Sequence, residues 1–183
     1  MTVFMTDFTV RAAAPATDPA DRTVLERLWH LFRHDMSAYS GQLPRPDGTF
    51  RNERLRAAFT EPGWASYLFH QQEHPVGFAL VRNLGGPGPV VLSSFFLVNA
   101  ARGRGYGLGA ALEVVRRHPG AWEVAFQDAN SAAVAFWPRV AEAAADGDGW
   151  RVEHRPIADR PETTPDAWVS FTVPAAASNQ PLH

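Results

Sequence analysis

The sequence contains neither cysteine nor lysine, and all 17 basic residues among its 183 are arginine. Without cysteine there are no disulfides, no thiolate nucleophile and no cysteine-bound zinc or iron–sulfur centre. Without lysine there is no Schiff-base chemistry, and no lysine for a nucleotide-triphosphatase phosphate loop. No apolar run approaches the roughly 20 residues of a membrane helix. Met1 to Arg11 also lacks the basic flank and apolar stretch of a signal peptide, so a cytoplasmic protein without membrane association is expected. Strong charge of one sign is missing too: a formal net charge of -2 and a pI near 6.4 speak against general nucleic-acid binding. What is present, 45% hydrophobic and 20% charged residues, describes one globular domain. The expected bounds are residues 1–174, followed by a mobile tail over 175–183.

Strand and helix patterns alternate without an internal repeat, which points to an α/β or mixed α+β architecture. A first strand is expected over Phe8 to Ala12. The helix that follows, Ala20 to Met36, carries Val24, Leu25, Leu28, Leu31 and Phe32 on one stripe and Arg22, Glu26 and Arg33 on the other face. Ser40 to Thr49 reads as a loop and Asn52 to Phe59 as a short helix. Trp64 to His70 and Val76 to Val81 read as a hairpin turning at Glu73-His74-Pro75. Val90 to Val98 is the most apolar strand, expected to lie centrally and covered on both faces. A helix from Gly107 to Arg117 and a strand from Ala121 to Gln127 come next. The last helix, opened by Asp128 or Asn130, runs to Ala144. After a turn at Asp146-Gly147-Asp148-Gly149, Trp150 to His154 and Ala167 to Val173 are expected as antiparallel strands, joined by a polar linker over Ala158 to Pro165.

Between the apolar strand and its following helix lies Arg102-Gly103-Arg104-Gly105-Tyr106-Gly107-Leu108-Gly109. Backbone N–H groups of such a segment converge on an anion held at the helix N-terminus. From Ala101 to His118 the four arginines Arg102, Arg104, Arg116 and Arg117 face Glu113 alone, a local balance of +3 that suits a phosphate or pyrophosphate. Two other readings exist. The glycines would also permit tight strand-to-helix packing, and Gly105-x-Gly107-x-x-Ala110 formally satisfies a dinucleotide fingerprint. Against the fingerprint, about half the chain precedes it and Glu123 falls inside a strand rather than at its end.

Arg102-x-x-Gly105-x-Gly107 resembles the signature of the GNAT superfamily of acetyl-CoA-dependent N-acetyltransferases. Downstream, Asn130-Ser131-Ala132-Ala133-Val134-Ala135-Phe136-Trp137 is similar to that superfamily's N-x-x-A-x-x-F-Y element, in the same order. The resemblance spans residues 7 to 174 and is specific from Phe95 to Trp137. It implies a mixed, mostly antiparallel sheet of about six to seven strands, splayed in the middle and flanked by about four helices. Acetyl-CoA would occupy the splay as co-substrate. Backbone groups of Leu97 and Val98 would pair with the pantetheine arm and polarise the acetyl carbonyl. Arg102, Gly103, Arg104, Gly105, Tyr106 and Gly107 would cradle the pyrophosphate, and Asn130, Ala133 and Phe136 would flank the pantetheine and sulfur end.

Two positions depart from the pattern. Trp137 stands where relatives carry the tyrosine that protonates the leaving thiolate, and an indole N–H is no useful acid. Ser94 stands just before the paired phenylalanines, where relatives carry glutamate; it is the polar side chain of the catalytic set at that position but supplies no base. An acceptor amine must lose a proton before attack, so a carboxylate or histidine is expected nearby. Glu123, acidic within an apolar strand beside the splay, is the first candidate base; facing solvent or pairing with an arginine would equally explain it. Asp128 reads as a helix cap, and His70 as a sheet histidine. Asp35 and Tyr39, with His34, end the first helix near where the superfamily admits its acceptor. No histidine pair has metal-ligand spacing with carboxylate support, so no metal is expected.

The acceptor implied is a small-molecule amine. Val140 to Asp166 holds Glu142, Asp146, Asp148, Glu153, Asp159, Glu162 and Asp166 against Arg151, Arg155 and Arg160, a balance of -4 that would steer a cation or simply form a solvated face. Trp29, Trp64 and Tyr39 would supply apolar walls for a sugar ring, or core. Superfamily relatives include antibiotic-modifying enzymes, so an aminoglycoside-type acceptor is the leading expectation, with transfer directly in a ternary complex because no cysteine can carry an acyl group. The alternatives are a peptide or protein N-terminus, a polyamine, or a non-catalytic acetyl-CoA-binding module. The six tryptophans are compatible with a homodimer.

Overall fold

The computed structural model describes residues 7–145, 148–156 and 164–175. Its frame is one mixed seven-stranded sheet in the order β1-β2-β3-β4-β5-β7-β6. The strands are β1 (Phe8–Ala13), β2 (Ala65–Gln71), β3 (His74–Arg82), β4 (Val90–Leu97), β5 (Gly120–Phe126), β6 (Trp150–Arg155) and β7 (Asp166–Val173). Four α-helices join them: α1 (Pro19–Ser40), α2 (Glu53–Thr60), α3 (Tyr106–Arg116) and α4 (Ser131–Ala145). All neighbouring strands pair antiparallel except β4 and β5. That parallel pair is confined to Val90 with Trp122 and Val91 with Glu123, after which the strands diverge. The divergence has a local cause. Leu80 faces Ser94 but Val81 faces Leu92, so Ser93 is an extra residue that bends β4 just beyond its last contact with β5.

Two cores cover opposite faces. Leu25, Leu28, Trp29 and Phe32 of α1 with Leu55 and Phe59 of α2 pack on Leu68, Phe78, Leu80 and Phe96. On the other face Ala110, Val114 and Val115 of α3 and Val140 and Ala141 of α4 pack on Trp122, Val124, Val169 and Phe171. Helices α1 and α2 reach only the half of the sheet formed by the first strands, so among the described residues the corresponding face of β5–β7–β6 carries no helix. Among the described residues no helix is long and apolar enough to cross a membrane.

Several expected boundaries move. Helix α1 continues past Met36 to Ser40, where Gly41, at φ 64°, stops it by donating its N–H to the Ser37 carbonyl. Its buried stripe is centred on Leu25, Leu28, Trp29 and Phe32, the i, i+3, i+4, i+7 set, which leaves Leu31 50% exposed and takes Trp29 into the core instead of a sugar-binding wall. Trp64 is half-buried against the same core. The hairpin turns at Gln72-Glu73 rather than at Glu73-His74-Pro75, because Gln71 already pairs with His74. Pro75 is tolerated inside β3 because it faces the register shift at Phe69/His70, where a ladder N–H is dispensable. Asp146, Gly147, Asp159, Arg160, Glu162, most of the linker from Ala158 and the tail beyond Ala175 lie outside the described residues.

The start of α1 is pinned by Asp21, which is 4% exposed. Its carboxylate accepts from both Arg11 Nη atoms (3.0 and 2.5 Å) and from the Ala14 N–H (2.9 Å). The Arg11 hydrogen bonds hold its pKa below the ordinary carboxylate range in spite of desolvation. A depressed folded-state pKa means the stabilisation is complete above the unfolded value, about 3.9, and is lost as pH falls through the folded one. Asp21→Asn is expected to cost about 1–2 kcal/mol at neutral pH, the half-exposed Arg11 screening part of the pair, and to flatten the acid side of the stability profile. Thermal melts from neutral pH to below pH about 4 check both effects.

Candidate active site

The splay is a V whose two arms run in the same direction. Val98 donates its N–H to the Val76 carbonyl of β3 (2.9 Å), so alternation turns the amide groups of Phe96 toward β3 and those of Phe95 and Leu97 toward the gap. The arm facing them, β5 beyond Glu123, makes no ladder with β4. Such a gap suits an extended ligand that supplies amides of its own. Val98 is thus committed to β3, a correction to its expected pairing with a ligand. The Leu97 carbonyl is committed as well, because Arg102 Nε donates to it (2.8 Å). The Leu97 N–H remains directed at the gap.

At the open end of the V stands the N-terminus of α3. Gly105 occupies its N-cap position at φ 82° with no side-chain cap, and the ladder begins only where the Gly109 N–H meets the Gly105 carbonyl (3.2 Å). The N–H groups of Tyr106, Gly107 and Leu108 therefore lack helical partners. Gly103 (φ 74°) and Gly105 sit in left-handed backbone with nothing within 4 Å of where a Cβ would lie, so this loop presents bare backbone to an anion. Arg104 is exposed beside it. A Cβ on Gly107 would stand 3.5 Å from Leu97 Cδ1 and Phe136 Cε2, which places the first turn of α3 against the wall of the gap.

Other expected ligand contacts have structural partners. Arg102 points away from the helix N-terminus: its Nη2 binds Asp35 Oδ2 (2.5 Å) and its guanidinium lies over the Phe96 ring (5.6 Å). Asp35 and Arg102 therefore engage each other and lash α1 to the glycine-rich loop. Tyr106 stacks on Phe8 (4.6 Å between centroids). Asn130 Oδ1 accepts the Ala133 N–H (3.1 Å) and so caps α4, while Asp128, the other expected cap, binds His154 Nε2 (2.9 Å). Phe136 lies against Phe95 (5.8 Å), with Trp137 edge-on to both. Tyr39, one turn beyond Asp35, is 41% exposed, as is most of His34.

On the helix-free face beyond the splay, Glu123 Oε1 and Oε2 accept from Arg155 Nη2 and Nη1 (2.7 and 2.9 Å), and Ser170 Oγ donates to Oε1 (3.4 Å). The Arg155 hydrogen bonds hold the Glu123 carboxyl below its ordinary range, which weakens it as a proton acceptor. Glu153 binds the same guanidinium, which also covers the Trp168 ring (5.0 Å). Across the cleft Arg54 of α2 donates Nη1–H to the Ser93 carbonyl (2.8 Å) and reaches Ser94 Oγ (3.5 Å); Ser94 itself is 5% exposed. Desolvation by the cleft walls raises the pKa of Asp166, at the start of β7, and Arg54 opposes the rise. Arg54 and Trp168 went unread in the sequence, and Arg155 entered it only as one of the arginines set against an acidic stretch. Asp166 showed there only as one charge in an acidic stretch, and Arg54 sits on a short helix with nothing local to single it out.

No protein-family model matches the sequence, and no curated protein matches it. Solved structures do match the fold. An acetyltransferase from Thermus thermophilus aligns at TM-score 0.63 and 21% identity over 90% of this chain and 97% of that one. Aminoglycoside 6'-acetyltransferase type Ii aligns at 0.62 and 16% over 92% and 99%. A GNAT family acetyltransferase from Elizabethkingia anophelis with acetyl-CoA bound aligns at 0.59 and 11% over 92% and 99%. With its seven-stranded mixed sheet parted after one short parallel contact and flanked by four helices, the chain has the GNAT acetyltransferase fold.

Proposed function

We propose that this protein is a single-domain acetyl-CoA-dependent N-acetyltransferase, its domain spanning residues 1–174, that acetylates a primary amine of a small molecule. The observation that carries the reading is the alignment of two unfilled features: amides of Phe95 and Leu97 directed into the gap, and the uncapped N-terminus of α3 at its mouth. The residues fit the co-substrate. Gly103, Arg104, Gly105 and the first turn of α3 would hold the pyrophosphate, Phe95 and Leu97 the pantetheine arm, and Phe136 and Ala133 the wall beside it. Acetyl-CoA supplies an acetyl group activated as a thioester. The chain supplies orientation, the Leu97 N–H for charge developing on the carbonyl oxygen, and an acceptor cleft beside the gap. With no cysteine in the chain, transfer runs directly to the amine.

The test is acetyl-CoA-dependent thiol release against aminoglycosides, polyamines, amino acids and short peptides, with mass detection of the products. Release with an acetylated product supports the reading, and absence of acetyl-CoA binding removes it. Cofactor binding without release on any acceptor would favour a binding module, a reading motivated by Trp137 in the tyrosine position and Ser94 in the glutamate position. An aminoglycoside-type acceptor draws on the likeness to the aminoglycoside acetyltransferase fold. Arg54 beside the gap opposes a polycation, and Glu123 and Glu153 are both taken up by Arg155.

Glu123 serves in this reading as the anchor of Arg155. Glu123→Gln is expected to leave the acid limb of the pH–rate profile in place and to lower stability by about 1–3 kcal/mol, since Arg155 loses a bidentate partner. Thiol release followed across pH, beside urea denaturation, checks this; a displaced acid limb would return Glu123 to the role of base.

A further inference from the structure

We infer that the acceptor is a small amine carrying a carboxylate, an α-amino acid being the simplest case, with its carboxylate on Arg54 and its ammonium on Asp166. The inference rests on the acetyl-transfer reading and deepens it.

Arg54 of α2 sits at the bulge where β4 leaves β5. Among the described residues only Nη1 of its guanidinium is used, by the Ser93 carbonyl and Ser94 Oγ, so the Nε–Nη2 edge keeps a donor pair of the spacing a carboxylate accepts. No carboxylate lies within 4 Å of Arg54 among the described residues, although α2 begins with Glu53, which is turned to Arg45 and Arg51. The surroundings add positive charge: desolvation first, then Arg33 and Arg82, work against the Arg54 charge. The exposed Arg54 guanidinium, with Arg33 and Arg82 as like-charged neighbours and one donor edge open, is placed to take an anion.

Strand β7 supplies the complementary group. Of the carboxylates around the Arg155 end of this face, Glu123 and Glu153 are bound to Arg155, and Asp166 is left without a side-chain hydrogen-bond partner among the described residues. Asp166 is half-buried and feels Arg54 electrostatically without touching it. The pair is therefore set apart by more than an ion-pair distance, Arg54 at the bulge of β4 and Asp166 at the start of β7. A zwitterion satisfies both ends at once, whereas a polycation would satisfy Asp166 and be repelled by Arg54. In the transfer step the ammonium proton passes to the Asp166 carboxylate. The freed lone pair forms the N–C bond to the acetyl carbon as its C–S bond breaks with its electron pair on the coenzyme sulfur, and the second proton of the acylated nitrogen passes to that thiolate, leaving an amide and a free thiol.

The experiment measures thiol release with the full-length protein on matched acceptors: glycine, β-alanine and γ-aminobutyrate, a set of larger α-amino acids, their methyl esters, the corresponding decarboxylated amines, and an aminoglycoside. Arg54→Gln, Arg54→Lys and Asp166→Asn are assayed beside the parent, each with acetyl-CoA affinity by calorimetry. The expected result is at least thirtyfold preference for the free acid over its ester, on the order of the discrimination one lost charge-assisted contact gives. Arg54→Gln should raise KM for the acid with kcat little changed and leave the ester unaffected, Arg54→Lys should recover part of the loss, and Asp166→Asn should lower kcat with acetyl-CoA affinity intact. Equal or better turnover of esters, decarboxylated amines or the aminoglycoside, or an Arg54→Gln protein with an unchanged acid-to-ester ratio, overturns the inference and leaves acetyl transfer standing. Failure to bind acetyl-CoA, or binding with no thiol release on any acceptor, removes both.

Discussion

Gly105→Glu is expected to abolish acetyl-CoA binding, with calorimetry showing a loss of at least about a hundredfold in affinity. Three effects combine at this position. Gly105 holds φ 82°, where an L residue pays about 1–2 kcal/mol. Its Cα faces open space, so the new side chain would project into the volume a pyrophosphate must fill. The added carboxylate would compete for the free N–H groups at the start of α3 and repel the phosphates. Because a negative charge at that end favours the helix, folding should survive, and a retained melting transition separates lost binding from lost structure. Gly105→Ala is the control: it pays the backbone cost without the charge and should weaken binding by roughly tenfold or less. Unchanged affinity in Gly105→Glu would take the pyrophosphate away from this loop.

The second large effect is on stability. Trp122→Ala is expected to cost about 3–5 kcal/mol, measured as a lower urea midpoint, out of the roughly 5–15 kcal/mol that holds a domain of this kind. Trp122 is fully buried, donates Nε1–H to the His118 carbonyl (2.8 Å) and lies parallel to Phe171 (6.5 Å). It also occupies one of the two rungs that join β4 to β5. Since the strands part beyond those rungs, the packing of Trp122 beneath α3 and α4 replaces ladder hydrogen bonds that the gap forgoes. Trp122→Phe keeps most of the buried area and should recover more than half of the loss. A cost under about 1 kcal/mol for the alanine variant would mean that the two halves of the sheet hold together without this contact.

The acceptor class bears on how the fold likeness is used. Neighbours at 11–21% identity share the overall fold. That frame is made by backbone, through a bulge at Ser93 and left-handed glycines at 103 and 105, and it tolerates wide change in side chains. The cleft over β5–β7 is made by side chains alone. Arg54, Arg155 and Asp166 reach it from α2, β6 and β7, so a likeness of frame carries no information about the charge found there.

Much of the frame was legible in the chain itself. Alternating patterns gave the order of strands and helices, because burial on one face imposes a period of 2 on strands and 3.6 on helices. Arg102 to Gly109, between the most apolar strand and a helix, marked the bare-backbone turn into α3, because left-handed glycines and an uncapped helix start are local properties. Pairing lay beyond local pattern. That β7 inserts between β5 and β6, that β4 and β5 share two rungs only, and that Val98 and the Leu97 carbonyl are already committed depend on which distant segments meet. The side-chain partnerships were equally hidden. Arg102 engages Asp35 across 67 residues and Arg155 engages Glu123 across 32, so two residues expected to meet ligand meet each other, and an expected base becomes half of an ion pair. The sequence by itself determined the elements and the glycine-rich loop that opens α3, which are set by neighbours along the chain. Only the tertiary structure decided which charges are spent and which stay open to a substrate, because each is fixed by a partner that folding brings from elsewhere.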